Sequence, residues 1–299
     1  MNILITGATG LIGAELYKHL LNHHSVTVLT RTPSKAYLTL GHRIEAISNL
    51  NDIDFNDVDI VINLAGEPIV NKRWSEEQKR EIYDSRVALT KEIAAKINAA
   101  EDKPKLLISG SAIGYYGRQD GDIIIEEEFD DCFDEFSHTL CRDWEQAALE
   151  AQTRVCLLRT GIVLANDGGA LSKMLPAFRF GLGGPLGKGD QVMSWIHIDD
   201  MVQLIMYLIK SDHIQGPINA TSPNAVTNEE FSSTLAEVLR RPAFFRMPEK
   251  VLRLMMGEMA DLLLYGQNVY PKRLLGEGFR FRHPDLKPTL EQLLSKKTA

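Results

Sequence analysis

Gly7, Gly10 and Gly13 stand three residues apart in Gly7-Ala-Thr-Gly10-Leu-Ile-Gly13, directly after the apolar run at residues 2–6. Glycines so spaced between a strand and a helix suit the binding of a pyrophosphate. The first permits a tight turn, the second lets the backbone approach the phosphates, and the third lets helix and strand pack closely. The backbone of Thr9, Leu11 and Ile12 belongs to the same anion site, where unpaired N–H groups and the positive end of the helix dipole meet. A glycine turn of an unrelated α/β protein is the bland alternative. The order strand, glycine turn, helix, strand argues against it.

The second strand pattern, residues 26–30, ends in Leu29-Thr30-Arg31, with Ser34 and Lys35 just beyond. A carboxylate there would grip the 2′-hydroxyl of a ribose, and none is present. Arg31 with Lys35 suits a 2′-phosphate instead, since a guanidinium binds phosphate bidentately. NADP(H) is therefore expected over NAD(H), a merely solvated Arg31 being the alternative.

These residues need elements to hold them. Residues 57–66, 105–112 and 154–164 read as further buried strands, and 75–99 and 136–145 as helices between them. Apolar strands interleaved with helices imply an α/β fold, a Rossmann-like doubly wound parallel sheet. Ligands of such sheets lie beyond the carboxyl ends of the strands. That collects Leu64, Ala65, Gly66 and Glu67, the stretch from Ser109 to Tyr116, and Gly161 with Ile162 around one crevice. The helix at 136–145 raises a question of its own, because Cys141 beside Arg142 has the look of an activated nucleophile. Phe136, Leu140, Trp144, Ala147 and Ala148 recur at spacings of three and four, however, and make a buried stripe. Cys141 borders that stripe, and apolar surroundings raise a thiol's pKa.

A chain of 299 residues with 44% hydrophobic and 24% charged positions is ordinary globular material. Its net charge of −7 makes nucleic acid and anionic membrane surfaces poor partners. Cys132, Cys141 and Cys156 show no metal-binding spacing, so reduced thiols in a cytoplasmic protein are expected, with no zinc site. A strand pattern beginning at residue 2 leaves no room for a signal peptide. Residues 249–264 come nearest to a membrane span, but Glu258 and Asp261 interrupt them and core packing is expected. A Rossmann-like domain is expected over 1–165, with 199–222 packing back onto it. Residues 166–299 then form a glycine-rich closing segment and a small, mainly helical C-terminal domain. Asn228 reads as the N-cap of its first long helix.

Several stretches, taken together, resemble a known family. GATGLIG, NLAGEPI, SRVALT, ISGSAIGYYG and SWIHIDDMV are similar to the extended short-chain dehydrogenases/reductases. NKRWSEEQK, LCRDWE, LRTGIVLA, FRFGLGGPLGKG and PKRLLGEGFRF resemble the atypical epimerase-family branch typified by the bacterial YfcH protein. The resemblance runs over essentially the whole chain and implies an NADP-binding Rossmann-like domain with a small C-terminal domain. The epimerase label of that branch rests on fold analogy, which is weak evidence for chemistry.

Extended relatives transfer hydride with a Ser, a Tyr and a Lys four residues after the Tyr. The resemblance puts Ser111 in the serine place. The family's glutamate matches Glu145, so the Lys place falls on Cys141 and the Tyr place on Ser137. Neither residue supplies the missing chemistry. Substitutes are Tyr115 and Tyr116 in the turn after Ser111, Glu67 as a base, and His197, each with packing or loop hydrogen bonding as the alternative. Arg86 matches a position where relatives carry a cofactor-facing Asn. It either contacts the pyrophosphate or pairs with Glu81 on the helix surface. Lys173, Arg179 and Lys188 on the glycine-rich segment suit an anionic ligand or are incidental surface charge. Two functions stay open. One is an NADP(H)-binding oxidoreductase or epimerase acting on a small polar substrate, nucleotide-linked ones included. The other is a non-catalytic NADP(H)-binding sensor or regulator. Substrate and oligomeric state are not specified by these residues.

Overall fold

The computed structural model describes residues 1–119, 121–129 and 133–295, so Cys132 lies outside the described residues. Its strands are β1 (Asn2–Thr6), β2 (Ser25–Leu29), β3 (Glu45–Ile47), β4 (Ile60–Asn63), β5 (Leu106–Ala112) and β6 (Ile124–Ile125). They continue with β7 (Arg154–Thr160), β8 (Ile162–Ala165), β9 (Val192–Met193), β10 (Trp195–His197), β11 (Gly216–Ala220), β12 (Val226–Thr227) and β13 (Asn268–Val269). Seven of these form one parallel sheet in the order β11-β7-β5-β4-β1-β2-β3. The chain leaves β1 in one direction toward β3 and returns to β4 on its other side. The carboxyl ends of β1 and β4, where Thr6 faces Asn63, are thus the switch point at which such sheets bind ligands.

Alternation along the strands feeds both faces of the sheet. Ile3 and Ile5 enter one buried cluster with Leu16, Leu20, Leu204 and Leu208, while Leu4 enters the opposite one with Ile93, Ile97 and Leu107. Each such side chain, fully buried, contributes about 1.5–3 kcal/mol. The helices supplying these faces include α1 (Leu11–Leu20), α2 (Pro33–Leu40), α3 (Glu76–Asp84), α4 (Val87–Ala99) and α5 (Phe136–Leu149). Further along are α6 (Gly169–Arg179), α7 (Ile198–Lys210), α8 (Asn228–Leu239) and α9 (Glu249–Met256). Helix α7 packs on α1, and β11 extends the main sheet beside β7. Helices α6 and α8 and the helix at Leu286–Leu294 build a separate apolar cluster around Trp195, Phe231, Leu235 and Leu290, while Leu274 and Phe279 join the main sheet's cluster.

Four expectations need correction. The helix expected over 75–99 is two helices, broken at Ser85-Arg86. The Ser85 hydroxyl and the Arg86 guanidinium both donate to the Ile82 carbonyl, at 3.0 and 3.1 Å. The Arg86 N–H bonds Tyr83 instead. Side chains competing for a backbone acceptor end a helix in this way. The strand expected over 154–164 changes sheets at Gly161, where a Cβ would meet the Ser194 carbonyl at 2.6 Å. The cap of α8 is Thr227, whose hydroxyl accepts the Glu230 N–H, while Asn228 is buried and accepts from Leu186. In 249–264, Leu252 and Met259 are buried as expected, but Leu254 and Met255 are exposed. No helix among the described residues is long and apolar enough to cross a membrane.

Candidate cofactor site

Gly7 closes the turn after β1 at φ +70°, a conformation other residues rarely adopt. A Cβ on it would lie 2.5 Å from the Leu64 carbonyl oxygen, and one on Gly13 would lie 2.5 Å from the Gly7 carbonyl. Gly10, exposed, meets only the Gly7 carbonyl at 3.2 Å and serves as the N-cap of α1. The N-terminal end of α1 at Gly10 therefore stands at the edge of a cleft, with the unpaired N–H groups of its first turn beyond it. That cleft, about 1160 Å³, runs across the carboxyl ends of the strands. Gly7, Thr9, Gly10, Thr30, Arg31, Leu64, Ala65 and Gly66 all border it. Leu11 and Ile12 are not among the residues lining it: Leu11 packs against Gly168 and Gly169, and Ile12 packs against the sheet core.

The wall on the β4 side is held by a chain of side-chain hydrogen bonds. Thr6 donates to Asn63 at 2.6 Å, Asn63 to Thr90 at 2.7 Å, and the Trp144 indole to Thr90 at 3.0 Å. The Thr6 hydroxyl also accepts the Ala65 N–H. Across the mouth, Arg31 reaches Glu67 at 3.4 Å, with Lys35 also lining the cleft. Arg31 is largely exposed, so this pair is worth well under ~1 kcal/mol and yields readily to a ligand. Beyond Arg31 the cleft ends at Ser48, Asn49 and Asn51, with Lys96 nearby. The sequence reading missed these four, because residues 41–53 carry no periodic pattern and only the turn-forming asparagines hinted at a loop. Glu81 and Gly161 lie away from the cleft. Glu81 pairs with Lys72 at 3.6 Å, not with Arg86.

The residues considered for catalysis mostly serve a buried network. Arg159 makes a two-pronged ion pair with Glu145, both contacts 2.8 Å. Ser111 donates its hydroxyl to the same Glu145 at 2.6 Å. Tyr116, fully buried, donates to Asn219 at 2.6 Å and accepts from Arg159 at 3.0 Å. Burial pushes its phenol up to about 12 against the opposing pull of Arg159. Tyr116 is thus occupied in the interior and is not a group that faces the cleft. Tyr115 is half-buried, its ring centre 3.5 Å from the Arg159 guanidinium carbon, and it is not among the residues lining the cleft either. His197 is buried. Its Nδ1 accepts the Asp199 N–H at 2.9 Å and its Nε2 meets Gln292 at 3.0 Å. Burial first, then neighbouring His283, lowers its pKa. His197, Asp199 and His283 stand close enough together to share a metal ion, but both His197 nitrogens are already used. Lys173 donates to Asn71 at 2.8 Å, which ties the glycine-rich segment to the loop after β4. Arg179 and Lys188 are exposed.

Ser137 and Cys141 face Gly114, where a Cβ would come 3.3 Å from the Ser137 Cβ and 3.6 Å from the Cys141 sulfur. The turn after β5 thus packs directly on this face of α5. Burial, then the Glu145 charge, pushes the Cys141 thiol up to about 12. At pH 8 its thiolate is only about one part in ten thousand. In a Cys132→Ser background, the folded protein should resist iodoacetamide at pH 8 and take up two labels in urea. Rapid single labelling of the folded chain would contradict the burial assignment.

Sequence relationships agree with this geometry. The model of the NAD dependent epimerase/dehydratase family matches residues 3–220. The chain belongs to that family. Residues 247–293 match a domain of unknown function, DUF1731, which accompanies the epimerase-family match here. Epimerase family protein SDR39U1 homolog, chloroplastic, of Arabidopsis thaliana is 38% identical over 304 residues, spanning 98% of this chain and 87% of that protein. Epimerase family protein YfhF of Bacillus subtilis is 35% identical over 301 residues, spanning 99% and 98%. The crystal structure of human epimerase family protein SDR39U1 (isoform 2) with NADPH has a TM-score of 0.90 at 33% identity, covering 98% of this chain and 99% of that one. The Rossmann-like sheet and the helical C-terminal region are therefore those of this epimerase family.

Proposed function

We propose that this protein binds NADP(H) in the cleft and works as an NADP(H)-responsive sensor or regulator. The observation that carries the binding is the glycine cradle, whose first and third positions exclude a Cβ while the second leaves the α1 N-terminus open. In this reading the first turn of α1 holds the pyrophosphate. Arg31, released from Glu67, and Lys35 hold the 2′-phosphate. The NADPH in the human SDR39U1 structure supports that choice over NAD(H). The bound nucleotide supplies a transferable hydride. Among the residues considered for moving a proton, Ser111 and Tyr116 are committed to Glu145, Arg159 and Asn219. This favours binding without turnover. Buried free thiols at Cys141 and Cys156 fit a reducing compartment such as the cytoplasm.

A second reading, an oxidoreductase or epimerase for a small polar substrate, rests on Tyr115. It is the half-buried phenol of the turn after β5, with Glu67, which lines the cleft, as the candidate base. Thermal shift and NADPH absorbance separate the readings. NADPH at a hundredfold excess over its Kd should stabilise the chain by about 2.7 kcal/mol, and NADH at the same concentration by less. Arg31→Ala should erase most of the difference. No carbonyl metabolite should oxidise the bound NADPH. Turnover abolished by Tyr115→Phe would reverse the order of the two readings, and stronger stabilisation by NADH would remove the role given to Arg31.

A further inference from the structure

Arg86 is nine-tenths buried, and among the described residues no carboxylate lies within ion-pair distance of it. One Nη donates to Ile82 at 3.1 Å and approaches Ser85 at 3.5 Å, while Nε and the other Nη have no hydrogen-bond partner among the described residues. That free edge lies against Gly66. A Cβ there would fall 2.8 Å from Nη2 and 3.0 Å from Nε. Gly66 and Ser85 both border the cleft, so the guanidinium stands directly behind its β4-side wall. The nearby carboxylates make their short contacts elsewhere, Glu81 with Lys72, Glu145 with Arg159, and Glu67, whose charge Arg86 feels without touching it, with Arg31. Cys141, whose charge Arg86 would otherwise feel, is held as a neutral thiol by burial. The Trp144 ring, 5.3 Å away, shields the other side from water. Arg86 is thus a buried positive charge with no carboxylate in contact with it among the described residues.

Its place along the cleft gives this charge a consequence. If Arg31 and Lys35 mark the 2′-phosphate end and α1 marks the pyrophosphate, the far half of the dinucleotide extends beyond β4, toward Gly66. That half carries the nicotinamide, a cation when oxidised and neutral when reduced. We propose that Arg86 makes the site discriminate between the two redox forms, favouring NADPH by repelling the pyridinium of NADP+. The inference rests on the NADP(H) reading and turns it into a specific property, a response to cofactor redox state. No contact with the ring is needed. A unit charge about a nanometre away, at an effective dielectric near 20, is worth roughly tenfold in relative affinity.

The test is equilibrium binding of three ligands, NADPH, NADP+ and 2′-phospho-ADP-ribose, which lacks the nicotinamide, to the full-length protein and its Arg86 variants. The wild type should bind NADPH about tenfold more tightly than NADP+. Arg86→Met should bring the two to within about twofold and Arg86→Lys should keep the preference, while 2′-phospho-ADP-ribose, whose phosphates feel the same charge, should lose no more affinity in Arg86→Met than NADPH does. If Arg86→Met does not fold, Arg86→Gln removes the charge while keeping a donor for Ile82. Equal wild-type affinities, or a preference that survives loss of the charge, would overturn the proposal and leave the NADP(H) reading standing. Failure of all three ligands to bind would overturn both.

Discussion

Glu145→Gln should destabilise the protein by about 3–5 kcal/mol, measured as a fall in the urea midpoint without ligand. Glu145 and Arg159 are each 4% exposed and are joined by two 2.8 Å hydrogen bonds. Burial alone pulls the Arg159 pKa down, but the Glu145 carboxylate outweighs it and holds the guanidinium firmly charged. The neutral amide keeps the shape of the side chain and leaves that charge buried without compensation. It also takes the carboxylate acceptor from the Ser111 hydroxyl. Replacing both partners with apolar groups removes the stranded charge, so Glu145→Leu with Arg159→Met should recover most of the loss. A Glu145→Gln cost under about 1 kcal/mol, or a double variant no better than the single, would mean that the pair is not the keystone of this network. The outcome bears on function too. If the double variant binds NADPH normally, Ser111 sits where it does to hold β5 against α5.

What the sequence conveyed depended on how local the cause was. Residues 2–6 and 105–112 read correctly as strands because apolar runs bounded by turns reflect burial on both faces. The glycine cradle was readable because the positive φ of Gly7 and the closeness of Gly13 to the Gly7 carbonyl are local, even though Leu64, just past β4, also closes on Gly7. The break at Ser85-Arg86 was not, since it arises from two side chains claiming the Ile82 carbonyl while Ser85 accepts the Glu67 N–H from another element. Helical periodicity passes through such a break unmarked. Gly161 is similar, its role set by the Ser194 carbonyl far along the chain. Pattern also showed that 249–264 has an apolar side, but not that Leu254 and Met255 would face outward. Resemblance located the places of the absent Tyr and Lys. Only the three-dimensional arrangement showed Tyr116 drawn into the interior and Arg86 buried beside the cleft with no carboxylate touching it among the described residues.

The cradle offers the second large effect, and comparing its glycines separates folding from binding. Gly7→Ala should cost about 2–4 kcal/mol of stability and lower NADPH affinity more than tenfold. The residue holds φ at +70°, which alone costs an alanine about 1–2 kcal/mol. The new methyl would also overlap the Leu64 carbonyl at 2.5 Å and the Ala65 nitrogen at 2.8 Å. Relief requires β1 and the end of β4 to move apart, and that widens the cleft where its two walls meet. Gly10→Ala tests the other half. Gly10 has φ −81°, and its methyl meets nothing closer than 3.2 Å, so stability should change by less than about 1 kcal/mol. The same methyl lies on the exposed side of the turn, where phosphates would approach, and NADPH affinity should still fall about tenfold or more. Denaturation midpoints and fluorescence titration on the two variants give four numbers. If Gly10→Ala bound NADPH as tightly as the wild type, the phosphates would have to lie elsewhere, and the glycine spacing would serve only the packing of α1 on the sheet.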